Sequence, residues 1–77
     1  MSITVRYFAS LRERLGLDEE QLETEGLQTV ADLRRRIAGL RELPERTLVA
    51  VNQEYADPDH PLKDGDEVAF FPPVTGG

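Results

Sequence analysis

The clearest hydrophobic pattern in the chain is a strict alternation near its beginning. Every second residue from Ile3 to Tyr7 is apolar, with Val5 between them. The intervening positions form a second set, which consists of Thr4, Arg6 and Phe8. Side chains of a β-strand point alternately to the two faces of a sheet, so this segment predicts a half-buried strand.

A helical period replaces the alternation in the middle of the chain. The apolar residues that share one helical stripe are Val30, Leu33, Ile37 and Leu40. Thr29 precedes the stripe, and Asp32 lies three positions after Thr29, which is the spacing of a capping box. The pattern predicts the main helix, and Leu43-Pro44 should end the segment because proline disfavours helical geometry in the residue before it.

Two weaker elements are predicted between the strand and the main helix. Ser10 and Glu13 have capping-box spacing and Gly16 supplies a stop, which indicates a helix of about two turns. Residues 21–25 are polar apart from one leucine and end at Gly26, so they predict a weak edge strand.

The second half of the chain predicts more strands joined by turns. Leu48–Val51 is an apolar, β-branched run, and residues 52–54 indicate a turn before Tyr55. Residues 57–61 contain two prolines and should form a loop, while residues 64–66 are typical of a tight turn. One strand, a weak strand, a helix and further strands together predict an α+β fold, with one main helix packed on one face of a mixed sheet.

The last strand, residues 67–71, alternates like the first one. Val68 and Phe70 fall on one face, whereas Phe71 falls on the other. Phe8 and Phe71 are therefore expected on the sheet face that the helix does not cover. If the two strands are neighbours, these rings form an apolar patch for protein docking, with Tyr55 as a third candidate member.

Composition removes several classes of function. The chain has 77 residues, enough for one small domain, which is predicted to span residues 1–77. Fifteen acidic residues against nine basic ones give a formal charge of -6, which disfavours nucleic acids and anionic membranes as partners. The run from Arg34 to Arg36 is interpreted as a solvated helix face. No stretch approaches membrane-spanning length and no signal peptide is evident, so a cytoplasmic location is expected.

The side chains offer little chemistry of their own. The absence of cysteine excludes disulfides, thiolate metal sites and a cysteine nucleophile. His60 is the single histidine and has no nearby serine to activate, so a hydrolytic triad is not expected. The aspartates sit where turns favour them, and their spacing matches no calcium loop. We therefore expect neither a metal nor a cofactor to be bound by this chain.

The C-terminal segment carries the main candidate for reactivity. Pro72-Pro73 should direct the chain out of the fold, and residues 72–77 are predicted to be a flexible tail that spans about 20 Å when extended. Glycines without a Cβ atom allow a main chain to pass through a narrow tunnel. The carboxylate of Gly77 is thus the candidate reactive group.

The chain resembles the small subunits of molybdopterin synthase, a family of ubiquitin-like sulfur carriers. The segments that carry the resemblance are Val5–Glu13, Ala50–Gln53, Asp59–Leu62 and Gly65–Gly77. The resemblance implies a β-grasp fold in which the first and last strands run parallel at the centre of the sheet.

The same resemblance implies partners and roles. An E1-like enzyme would adenylate the Gly77 carboxylate with ATP and magnesium, and a thiocarboxylate would follow. The tail residues Val74, Thr75 and Gly76 would insert into the synthase large subunit, which would supply the catalysis while sulfur passes to a cyclic pyranopterin precursor. Docking would use the surface that matches Phe8, Tyr55 and Phe71, although Tyr55 carries a hydroxyl where the family usually has an aliphatic residue.

Three other functions remain open from the sequence. The chain could carry sulfur for thiamine or another pathway, although the segment Phe70–Thr75 argues against this. It could be a ubiquitin-like modifier whose Gly77 forms an isopeptide bond with a lysine. It could also be a binding module whose tail has no chemical role.

Overall fold

The computed structural model describes residues 2–40, 43–44 and 46–73. Five strands and two helices follow one another within these ranges. They are β1 (Ser2–Tyr7), α1 (Ala9–Leu15), β2 (Glu19–Glu23), α2 (Val30–Leu40), β3 (Leu48–Val51), β4 (Glu54–Tyr55) and β5 (Glu67–Phe71).

The strands form one mixed sheet with the order β2-β1-β5-β3-β4. β1 and β5 run parallel at its centre, with Tyr7 opposite Phe70, and the other neighbours are antiparallel. This is the central parallel pair that the β-grasp resemblance implied, so the predicted α+β fold is confirmed.

Helix α2 covers one face of the sheet, which we call the core face. Its buried residues Val30, Leu33 and Ile37 belong to the same hydrophobic cluster as the core-facing strand residues. Those strand residues are Ile3, Val5, Tyr7, Val49, Val51, Val68 and Phe70. Leu40 was predicted on the helix stripe but is 62% exposed, because the stripe reaches the core only as far as Ile37.

The capping box of α2 forms as predicted. The backbone N–H of Thr29 donates to Asp32 Oδ2 at 3.1 Å, and the Asp32 N–H donates to Thr29 Oγ1 at 3.3 Å. The Gln28 N–H also donates to Asp32 Oδ2, at 3.0 Å. Hydrogen bonds from the backbone of Gln28 and Thr29 to the ionised form hold the pKa of Asp32 below its ordinary value.

The loop of residues 57–61 also supports the start of α2. The carbonyl of His60 accepts a hydrogen bond from the Val30 N–H at 3.0 Å, and the carbonyl of Pro58 accepts one from the Ala31 N–H at 2.9 Å. These bonds satisfy donors that the first turn of a helix leaves unpaired. His60 thus contributes its backbone to the fold, while its side chain is exposed.

Three local predictions were displaced or wrong. Helix α1 begins at Ala9 with Phe8 as its N-cap residue and without a side-chain cap, so the role predicted for Ser10 was wrong. Strand β2 is the predicted edge strand, but it starts two residues earlier, at Glu19. Glu54 was assigned to a turn, yet it pairs with Val51 as the first residue of β4.

The face of α2 that was predicted to be solvated is exposed to solvent only in part. Arg34 is half-buried, because its guanidinium donates to the carbonyl of Thr47 at 2.7 Å and to that of Pro44 at 3.3 Å. Arg35 and Arg36 are exposed, as expected. Within the described residues, no helix is both long and apolar enough to cross a membrane.

Candidate docking face and tail root

The face of the sheet opposite α2, which we call the open face, presents aromatic side chains to solvent. Tyr7 and Phe70 stack on the core face with ring centroids 6.0 Å apart. Phe71 follows Phe70 in β5, and Phe8 follows Tyr7 directly after β1 with an extended backbone, so both side chains point to the open face. The Phe8 N–H donates to the Phe70 carbonyl at 3.1 Å, which holds Phe8 beside β5.

Tyr55 reaches the same face from the edge of the sheet. Its ring lies 5.7 Å from that of Phe71, with an angle of 57° between the ring planes. Strand pairing explains the contact, because Tyr55 is opposite Ala50 and Phe71 is opposite Leu48 on the intervening strand. The small side chain of Ala50 allows the two larger rings to meet above β3.

We call Phe8, Tyr55 and Phe71 the aromatic patch. Tyr55 is 74% exposed and Phe8 is 43% exposed, while Phe71 is half-buried. The structure brings Tyr55 and Phe71 into contact and places Phe8 on the same face, on the β1 side of β5. The sequence pattern located all three residues but gave no sign of Leu48 and Ala50, which become neighbours of the patch only through strand pairing.

The other half of the open face is polar. Arg6 lies between two carboxylates, with nitrogen–oxygen distances of 3.2 Å to Glu67 and 3.6 Å to Glu19. All three side chains are well exposed, so these ion pairs contribute little to stability. They mark the boundary of the apolar surface instead.

The root of the tail lies next to the aromatic patch. β5 ends at Phe71, Pro72 is half-buried and Pro73 is exposed. The predicted site residues Val74, Thr75, Gly76 and Gly77 lie outside the described residues. Their predicted roles in tail insertion and sulfur transfer therefore remain predictions.

The described side chains form no metal-binding cluster and leave no buried polar group unpaired. Across residues 2–40, 43–44 and 46–73, no group of three or more histidine, aspartate or glutamate side chains is arranged to hold a metal ion. In the same part of the chain, every buried side-chain nitrogen and oxygen has a hydrogen-bond partner. The aromatic patch and the tail root are thus the features that point to a function.

Comparisons with known proteins identify the family that the sequence resembles. The model of the ThiS family matches residues 5–77. The molybdopterin synthase sulfur carrier subunit of Escherichia coli (strain K12) is 44% identical, and the alignment covers 97% of this chain and 99% of that protein. The subunit of the same name from Chlamydomonas reinhardtii is 42% identical, with both chains fully covered.

Solved structures share the fold over nearly the whole chain. The crystal structure of the Haloferax volcanii small archaeal modifier protein 1 has a TM-score of 0.79 at 28% identity, covering 95% of this chain and 98% of that one. A chain from the complex of subunits 1 and 2 of molybdopterin-converting factor from Helicobacter pylori 26695 has a TM-score of 0.71 at 28% identity, with both chains fully covered. The chain therefore belongs to the ThiS family and, within it, to the molybdopterin synthase sulfur carrier subunits.

Proposed function

We propose that this chain is the sulfur-carrying small subunit of a molybdopterin synthase and that it carries sulfur as a thiocarboxylate on Gly77. The observation that supports this most strongly is the parallel pairing of β1 with β5. It places Phe8 and Phe71 on one exposed face, at the end of the strand that continues into the Gly-Gly tail. A partner that docks on the aromatic patch would receive the tail.

The chemistry proposed for the tail requires an activating partner. An E1-like enzyme with ATP and magnesium would join the Gly77 carboxylate to AMP and release pyrophosphate. A sulfur donor would then displace AMP, so that a carbon–sulfur bond replaces the carbon–oxygen bond to phosphate. AMP is a far better leaving group than oxide, and the product keeps a nucleophilic sulfur.

The second partner in the proposal is the synthase large subunit. The complex of subunits 1 and 2 known for the Helicobacter pylori protein supports such a partner. Docking on the aromatic patch would let Val74, Thr75 and Gly76 enter the large subunit and hold the sulfur close to a cyclic pyranopterin precursor. Proximity of this kind replaces a bimolecular encounter by an intramolecular one, while catalytic side chains come from the partner.

Deletion of Gly77 tests the proposal. We expect the shortened chain to give no sulfur transfer in a reaction with the activating enzyme, a sulfur donor and the large subunit. Its thermal unfolding midpoint should stay unchanged, because the core cluster lies entirely within residues 3–70. A control chain with Gln21→Ala, on the polar half of the open face, should transfer sulfur normally. Transfer by the shortened chain would contradict the role of Gly77.

The modifier function is the second candidate, because the small archaeal modifier protein 1 shares the fold. It would use the same activated Gly77 but join it to a lysine amine of another protein. Denaturing electrophoresis after incubation with the activating enzyme separates the two functions. Sulfur carriage predicts no covalent adducts, whereas a modifier predicts adducts that survive reducing agents.

A further inference from the structure

An apolar groove runs between helix α2 and the β3–β4 hairpin. Its volume is about 510 Å³, within the range of sites that bind ligands or peptide side chains. Apolar side chains make up most of its lining, and those that matter here are Ala31, Ala38, Leu43, Val49, Tyr55 and Ala56.

Two arginines of α2 also line this groove. The guanidinium of Arg34 donates to two backbone carbonyls, which fix its position, and that of Arg35 lies 2.7 Å from Asp32 and is exposed. A guanidinium carries five N–H donors in a planar fork that matches a carboxylate. With its side chain 75% exposed, Arg35 can donate to a second carboxylate besides that of Asp32. An occupant with apolar side chains and a carboxylate at one end would complement this lining.

Tyr55 joins the groove to the aromatic patch. One part of its ring contacts Phe71 on the open face, and the same residue lines the groove. Because Tyr55 is 74% exposed, a protein that covers it contacts a residue of both surfaces. Elsewhere on the open face, the ion pairs of Arg6 mark the boundary of the apolar surface.

The size of a stable interface favours this extension. A standard protein interface buries about 800 Å² on each partner, whereas the whole described surface of this chain is 5200 Å². A fully buried aromatic side chain supplies at most about 250 Å², and the three members of the aromatic patch are only partly exposed. The patch by itself therefore falls short, and besides the inserted tail the groove is an adjoining apolar surface that can supply the remainder.

We propose that the groove receives an amphipathic segment of the large subunit, with its apolar side chains against α2 and β3 and a carboxylate directed at the exposed guanidinium of Arg35. This inference rests on the proposed function, because it takes the large subunit as the docking protein. It adds a second contact region, on the far side of Tyr55 from the tail root.

A pair of neighbouring charge substitutions tests it. Ala38→Glu places a carboxylate and added bulk at the groove, at an exposed position where a helix accepts glutamate well. Gly39→Glu adds the same charge one residue away, outside the groove, where a Cβ atom would meet nothing within 4 Å. Titration of each variant with the large subunit should show affinity weakened by roughly tenfold or more for Ala38→Glu and less than about twofold for Gly39→Glu. Ala38→Lys, which adds similar bulk with the opposite charge, should lose less affinity than Ala38→Glu.

Other outcomes overturn the inference in distinct ways. Equal affinities for Ala38→Glu and Gly39→Glu would show that the groove stays empty in the complex. If Phe71→Ala still weakened binding in that case, the proposed function would stand without the groove. A dimer of the unsubstituted chain that Ala38→Glu converts to a monomer would instead assign the groove to a second copy.

Discussion

The two faces of the sheet use neighbouring residues for different purposes. Phe70 on the core face is fully buried and stacks on Tyr7, whereas Phe71 on the open face is half-buried and contacts the exposed ring of Tyr55. Tyr7, the last residue of the parallel strand β1, and Phe8, which follows it, are divided between the two faces in the same way. Neighbouring aromatic residues of one parallel strand pair thus stabilise the fold on one face and remain accessible to solvent on the other.

The largest difference should appear in stability after Phe70→Ala. Removal of a fully buried phenylalanine leaves a cavity and costs about 3–5 kcal/mol of unfolding free energy. This is a large part of the stability of a small domain, so partial unfolding at room temperature is expected. Urea denaturation followed by circular dichroism measures the change. A cost below about 1 kcal/mol would show that the core face is not what holds the sheet to α2.

Phe71→Ala should affect binding of the large subunit more and the stability of the fold less than Phe70→Ala does. We expect affinity for the large subunit to fall by about 1–3 kcal/mol, as for an interface anchor, with an unfolding cost smaller than that of Phe70→Ala. Calorimetric titration beside urea denaturation of the same variant separates the two effects. Unchanged affinity would place the docking surface elsewhere on the molecule.

The smallest effect concerns the helix that covers the core face. The pKa of Asp32 is lowered in the folded chain, so the folded state binds this proton less readily than the unfolded state. The ionised carboxylate therefore stabilises the fold above its ordinary pKa, and this contribution is lost as the pH falls through the lowered value. Asp32→Asn should be less stable than the unsubstituted chain at neutral pH and should lose less stability on acidification. Identical slopes of unfolding midpoint against acidic pH would contradict this.

Periodic patterns explain why much of the fold could be predicted. Alternation in β1 and β5 placed Ile3 and Phe70 in the core, and the capping box at Thr29 located the start of α2. These signals are local, because a strand or a helix cap is encoded by residues a few positions apart. The aromatic patch followed from the same alternation, once the first and last strands were taken as neighbours.

Contacts between distant residues account for what the sequence did not predict. Arg34 was assigned to a solvated face because its two carbonyl acceptors, at Pro44 and Thr47, lie ten or more residues away. β4 was not predicted because two residues are too few to show a periodic pattern, and the strand is defined by its pairing with β3. The groove beside α2 has no sequence pattern, since three separate segments form it.

The measurement that tests the central claim most directly is the intact mass of the chain after incubation with the E1-like enzyme, ATP, magnesium and a sulfur donor. Replacement of one oxygen by sulfur at the Gly77 carboxylate predicts a gain of about 16 Da, which requires ATP and is absent when Gly77 is deleted. An unchanged mass, in a reaction where the enzyme is shown to be active on another carrier, would contradict the assignment of this chain as a sulfur carrier.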